Sequence, residues 1–122
     1  MLKLVKESIQ TKENARILLK EMIKELNITD CKVGLAGSFA KGTQNEQSDL
    51  DIVLDFNDSY DIFNLEYAIH DYMKQHTDRE YDIIYIGELL KEKNDLLEFG
   101  DTEESLGETF YDSIIKDVIW IA

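Results

Sequence analysis

Between Lys12 and Leu26 the apolar residues Ala15, Leu18, Leu19, Met22, Ile23 and Leu26 recur three and four positions apart. That spacing lays one apolar stripe along a helix, and Thr11 stands where such a helix needs an N-cap. The period then shortens to two. Cys31 to Gly37 and, more strongly, Asp49 to Asp55 (Asp-Leu-Asp-Ile-Val-Leu-Asp) alternate as strands do, with a Gly- and Ser-containing turn between them. Helical spacing returns from about Tyr60 to Gln75 through Ile62, Leu65, Ile69 and Tyr72 or Met73, with Asp58 or Ser59 available as N-cap. Tyr81 to Ile86, rich in β-branched and aromatic residues and stopped by Gly87, predicts a third strand. Glu88 to Asn94 and about Glu103 to Lys116 read as helices, and Val118 to Ile121 suits a terminal strand. The order α, β, β, α, β, α, α and a last β predicts an α/β (α+β) fold with a mixed β-sheet flanked by helices.

Proline, repeats and Ser/Gly-rich linkers are all absent, so one domain over residues 1–122 is expected. Apolar runs stop at four or five residues, such as Ile83 to Ile86, far below the roughly 20 that a membrane helix needs. The opening Met-Leu-Lys-Leu-Val-Lys-Glu reaches an acid before any sustained apolar stretch, unlike a secretory signal, and points to a cytoplasmic protein. The lone Cys31 allows no internal disulfide and reads as a small buried hydrophobe. His70 and His76 have no neighbouring ligand at metal spacing and read as surface or packing residues.

Charge changes the picture. Twenty-six acids against 13 bases give a net charge of −13, a field that repels phosphate backbones and argues against a nucleic-acid partner. Divalent cations or a basic protein are the expected counterparts.

The chemistry concentrates between Gly37 and Asp51. Strand alternation sends Asp49 and Asp51 to one face, about 7 Å apart along the backbone, while Leu50, Ile52 and Leu54 face the other way. Paired carboxylates repel each other unless protonated or metal-bound, and a few hard oxygen ligands completed by waters and phosphates suit Mg²⁺. Gly37 permits close backbone approach, and Ser38 can offer its hydroxyl and amide to a phosphate oxygen. A third acid would serve a two-metal site. Asp82 is preferred because Ile83 and Ile84 anchor it in a buried strand, with Glu80 and Asp78 as runners-up of the same parity.

Gly37-Ser38, ten intervening residues, Asp49-Leu50-Asp51 and a later Asp82 resemble the DNA polymerase beta-type nucleotidyltransferase superfamily. The short length resembles its minimal nucleotidyltransferases, many of which act as antitoxins paired with HEPN-domain toxins. This resemblance implies the corresponding fold over nearly the whole chain. It implies catalysis and metal binding (two Mg²⁺ ions) by Asp49, Asp51 and Asp82, and ATP gripped by Gly37 and Ser38. Lys41 stands where the family often has Arg, so any phosphate contact there would be a point charge. The implied reaction moves AMP from ATP to a hydroxyl, with a tyrosine of a basic HEPN toxin as the acceptor. Two rival expectations are an antitoxin that neutralises its partner by contact alone and a transferase for a small molecule such as an aminoglycoside.

Overall fold

The computed structural model describes residues 9–57 and 61–122. Helix α1 (Lys12–Glu25) begins as its sequence requires: the Thr11 hydroxyl accepts from the Asn14 amide at 3.0 Å, Glu13 lies in the first turn and Lys24 in the last. Its stripe of Ala15, Leu18, Leu19 and Met22 is fully buried. Strands β1 (Lys32–Ala36) and β2 (Leu50–Asp55) each fall slightly inside the expected bounds. Between them the expected turn contains a five-residue helix, α2 (Gly37–Lys41), closed by Gly42 in the left-handed region at φ 78°. Phe39 and Ala40 drive this helix by burying themselves in the core.

Helix α3 (Ile62–His76) buries Leu65, Ile69, Tyr72 and Met73. The N-caps expected at Asp58 or Ser59 lie outside the described residues, and Asp61 occupies the cap position without a side-chain cap bond. Strand β3 (Tyr81–Tyr85) passes directly into α4 (Ile86–Glu98), longer at both ends than the expected 88–94; Ile86, expected as the last strand residue, and Gly87, expected as the stop, open the helix instead, where Ile86 is buried. The helix expected over 103–116 is two: α5 (Glu103–Leu106) and α6 (Phe110–Asp117). Gly107 at φ 62° separates them, and each starts with a capping box, Thr102 with Ser105 and Thr109 with Asp112. The terminal strand is β4 (Ile119–Trp120).

The sheet runs β3-β2-β1-β4. β1 is antiparallel to both β2 and β4, whereas β2 and β3 are parallel and joined through α3. Period-two alternation divides the strands between two cores. Val33, Leu35, Leu50, Ile52 and Leu54 pack with α1 and α3, while Ala36, Val53 and Ile84 pack with Ile86 of α4 and Ile114 of α6. The mixed, helix-flanked sheet expected from the pattern is the one observed. Among the described residues no helix is long and apolar enough to cross a membrane.

Two contacts hold the second helical layer. A Cβ at Gly34 would come within 2.7 Å of Val118 Cγ2 and 2.9 Å of Trp120 Cε3, so glycine is what lets the terminal strand lie on β1. Lys93 of α4 lies 2.9 Å from Asp112 Oδ1 and 3.5 Å from Glu103 Oε2, clasping α5 and α6. That Lys93 hydrogen bond, with those from Thr109, holds the Asp112 carboxyl down at about 2.

Candidate active site

Strand register gathers the acids. Asp51 pairs with Ala36 on one side and with Asp82 on the other, so the three residues form one row across β1, β2 and β3. Paired residues of neighbouring strands share a face, so Asp51 and Asp82 project together on the α4/α6 side, where Val53 is already covered. Ala36, at one end of the row, packs with Ile86 and Ile114, and the two acids follow it across the sheet.

Asp49 sits one residue before β2 and is exposed, so the loop, and not the strand ladder, sets its position. The first ladder bond of β2 runs from the Leu50 amide to the Glu80 carbonyl at 2.9 Å. Asp49 is nonetheless close enough to act on Asp51. Partial burial pushes the Asp51 carboxyl above its usual range, and the charges of Asp82 and then Asp49 push it further in the same direction. Glu80 and Asp78, the runner-up acids, lie in the turn before β3 and line a cavity of about 670 Å³ that Asp49 also borders. Neither is a cross-strand partner of Asp51; Asp82 is.

Gly37 completes the arrangement from β1. Its φ of 67° lies in the left-handed region, and a Cβ there would stand 2.0 Å from Asp51 Oδ2. Both the backbone conformation and the space demand glycine. Ser38 follows in the first turn of α2, half-buried, and its carbonyl accepts from the Gly42 and Thr43 amides. Lys41 is directed elsewhere: its Nζ lies 3.5 Å from Asp117 Oδ2 at the end of α6. A phosphate contact would require it to leave that half-exposed pair.

Among the described residues no group of three or more His, Cys, Asp or Glu stands as a ready metal cage. Magnesium asks less of the protein, because it retains waters and takes oxygens from substrate phosphates. The donors present are carboxylates only, and Asp51 bears the repulsion of both Asp82 and Asp49. A hard divalent cation fits that donor set.

A sequence profile described as the nucleotidyltransferase domain matches residues 15–119. The chain belongs to the nucleotidyltransferase domain family. The match takes in β1 to β3, the first residue of β4 and the whole acidic row, so the family and fold expected from the Gly-Ser and Asp-x-Asp spacing hold for this nucleotidyltransferase. Its fold is similar to that of a crystal structure of a toxin-antitoxin with AMP-PNP, at a TM-score of 0.52 and 16% identity, covering 88% of this chain and 72% of that one. A Sulfolobus solfataricus protein, provisionally a nucleotidyltransferase, aligns at a TM-score of 0.45 and 19% identity over 93% of this chain and 87% of its own, too distant to carry an argument. No curated protein matches the chain.

The remaining side chains of the nucleotidyltransferase that carry chemistry are engaged in packing or in hydrogen bonds away from the acidic row. Burial raises the Cys31 thiol to about 11, which keeps it protonated and inert. His70 Nδ1 shares a 2.5 Å hydrogen bond with the Tyr81 hydroxyl, and His76 stacks on Tyr72 at 3.9 Å while bonding its carbonyl. Arg79 was not singled out by sequence, yet its guanidinium lies beside the loop that carries Asp49. Its one advance sign is that the chain has two arginines among 13 bases, and arginine is the residue of choice for several directed hydrogen bonds.

Proposed function

We propose that this nucleotidyltransferase transfers AMP from ATP to a hydroxyl of a protein partner, a tyrosine of a basic HEPN-domain toxin, and so acts as an antitoxin. The observation that carries the proposal is the pairing of Asp51 with Asp82 beside Gly37, with Asp49 near enough for its charge to act on Asp51. Asp49 and Asp51, with Asp82, are the residues that would hold Mg²⁺. When bound, the metal supplies charge neutralisation for the triphosphate and acidifies the attacking hydroxyl.

The chain's own residues do the rest. Gly37 and Ser38 bring backbone and hydroxyl donors to the outer phosphates. Asp82 accepts the proton of the acceptor hydroxyl, whose oxygen then bonds to the α-phosphorus as the bond to the leaving pyrophosphate breaks. Catalysis is chiefly placement and preorganised charge.

Support for ATP comes from the AMP-PNP in the toxin-antitoxin structure of similar fold, and that same structure supports a toxin as partner. Support for a basic protein comes from the −13 charge, which speeds encounter with an opposite field. Phe63 and Tyr67, one turn apart on α3 and 81% and 77% exposed, offer aromatic anchors of the kind that protein interfaces use.

Incubation with ATP, Mg²⁺ and the HEPN partner, followed by intact-mass spectrometry of the partner, tests the proposal. AMP additions that vanish with the Asp49→Asn/Asp51→Asn variant are expected. An unmodified but inhibited partner would favour neutralisation by contact alone, and a partner neither modified nor bound would redirect the search to small-molecule acceptors.

A further inference from the structure

Arg79 spends its donors on main-chain carbonyls although acids surround it. Nε donates to the Ile9 carbonyl at 2.9 Å, and Nη2 donates to the same oxygen. Nη1 lies within hydrogen-bonding distance of three more carbonyls, those of Asn45 (3.2 Å), Glu46 (2.9 Å) and Ser48 (3.1 Å). The guanidinium carbon also sits 5.3 Å from the ring centroid of Phe39, which is fully buried in α2 two residues beyond Gly37. Its own backbone is fixed by the bond from its amide to the buried Thr77 hydroxyl at 3.0 Å.

These contacts join the two halves of the motif. The Ser48 carbonyl belongs to the peptide unit that leads into Asp49, so Arg79 restrains Asp49 from one bond away, while Phe39 ties the same guanidinium to the helix that begins at Gly37. Because β2 begins at Leu50, no strand pairing restrains Asp49. The loop's internal bonds, Asn45 amide to Ser48 Oγ at 2.9 Å and Gln47 amide to Asn45 Oδ1 at 2.8 Å, shape a turn but do not attach it to the sheet. Lysine could not replace this geometry, since a single ammonium lacks the planar fork that reaches both Ile9 and the 45–48 turn.

We infer that Arg79 is a positioning residue that fixes Asp49 relative to Gly37 and Asp51 and thereby sets the affinity of the acidic site for a divalent cation. The inference rests on the proposed metal-nucleotide role of that site. Groups that orient a metal ligand typically change metal affinity by about 10–100-fold when removed.

The test is Mn²⁺ binding in the presence of ATP, followed by electron paramagnetic resonance, on the wild-type protein, Arg79→Lys and Asn45→Ala. Thermal melts identify folded protein, and amide hydrogen exchange over residues 45–49 reports the loop. Arg79→Lys is expected to weaken Mn²⁺ binding about tenfold and deprotect residues 45–49, with α1 and α3 protection unchanged. Asn45→Ala, which removes the Oδ1 that orders the turn but keeps the main-chain carbonyl that Nη1 reaches, is expected to move binding in the same direction and keeps the test open if Arg79→Lys does not fold. Wild-type Mn²⁺ affinity in both folded variants, with the loop deprotected, would overturn the positioning role while leaving the metal site intact. A wild-type protein that binds no Mn²⁺ with ATP would instead overturn the metal-nucleotide reading and this inference with it.

Discussion

Gly37 stands so close to Asp51 that a single methyl group at residue 37 would lie 2.0 Å from the Asp51 Oδ2 atom. The turn after β1 and the central acid of β2 are therefore one unit, built by the Ala36 to Asp51 pairing that brings the strand ends together. Gly37→Ala should displace the Asp51 carboxylate from its place beside the turn and also force a left-handed backbone on alanine, a strain of about 1–2 kcal/mol. Turnover should fall by about 100-fold or more while the protein remains folded, as checked by steady-state kinetics beside a thermal melt.

Asp51 itself should cost the resting protein stability. Its carboxyl is raised above the ordinary 3.8 first by burial, then by Asp82 and Asp49. The folded state thus holds that proton more tightly than the unfolded chain does. The resulting stabilisation is fully present below about pH 3.8 and is lost as pH rises through the raised value. At neutral pH Asp51→Asn should melt higher than the wild type, with the difference shrinking as pH falls towards 4. Added Mg²⁺ with ATP should raise the wild-type melting temperature and leave the variant unmoved.

The register of β2 against β3 separates two neighbouring acids. Asp82 is paired with Asp51, whereas Glu80 lends its carbonyl to the Leu50 amide and lies by the cavity. Asp82→Asn should lower kcat by orders of magnitude with little change in nucleotide affinity, and Glu80→Gln should be nearly silent. The reverse ranking in a kcat and KM comparison would place the working acid two residues earlier.

Much of this was legible in the chain. The 3.6-residue stripes gave α1 and α3 because a long amphipathic face leaves a strong periodic trace, and the parity of Asp49, Leu50 and Asp51 separated the acids from the core. Helix α2 was hidden because five residues make too little periodicity to see, and its burial of Phe39 depends on the long-range core. The break between α5 and α6 did leave a signal, in the spacing of Thr102 to Ser105 and Thr109 to Asp112 around Gly107. Arg79 left almost none, since its acceptors are carbonyls that every residue carries. Lys41 was read from its place in the motif, but its partner Asp117 is 76 positions away and only the fold brings them together.

That pair makes a separate prediction. An exposed ion pair contributes only about 0–1 kcal/mol, so nucleotide phosphates could draw Lys41 away from Asp117 at small cost. Asp117→Asn, which frees Lys41, should lower KM for ATP by a few-fold, and Lys41→Gln should raise it by a similar factor. Equal KM values in both variants would show that Lys41 serves only to tie α2 to α6.

The acidic row is tested most directly by a crystal structure with Mn²⁺ and a non-hydrolysable ATP analogue, with the ion located by its anomalous scattering. The expected result is Mn²⁺ within direct bonding distance of the Asp49 and Asp51 carboxylates, with the triphosphate running along the Gly37-Ser38 turn. Nucleotide bound with no ion at those carboxylates, or an ion held elsewhere on the protein, would contradict it.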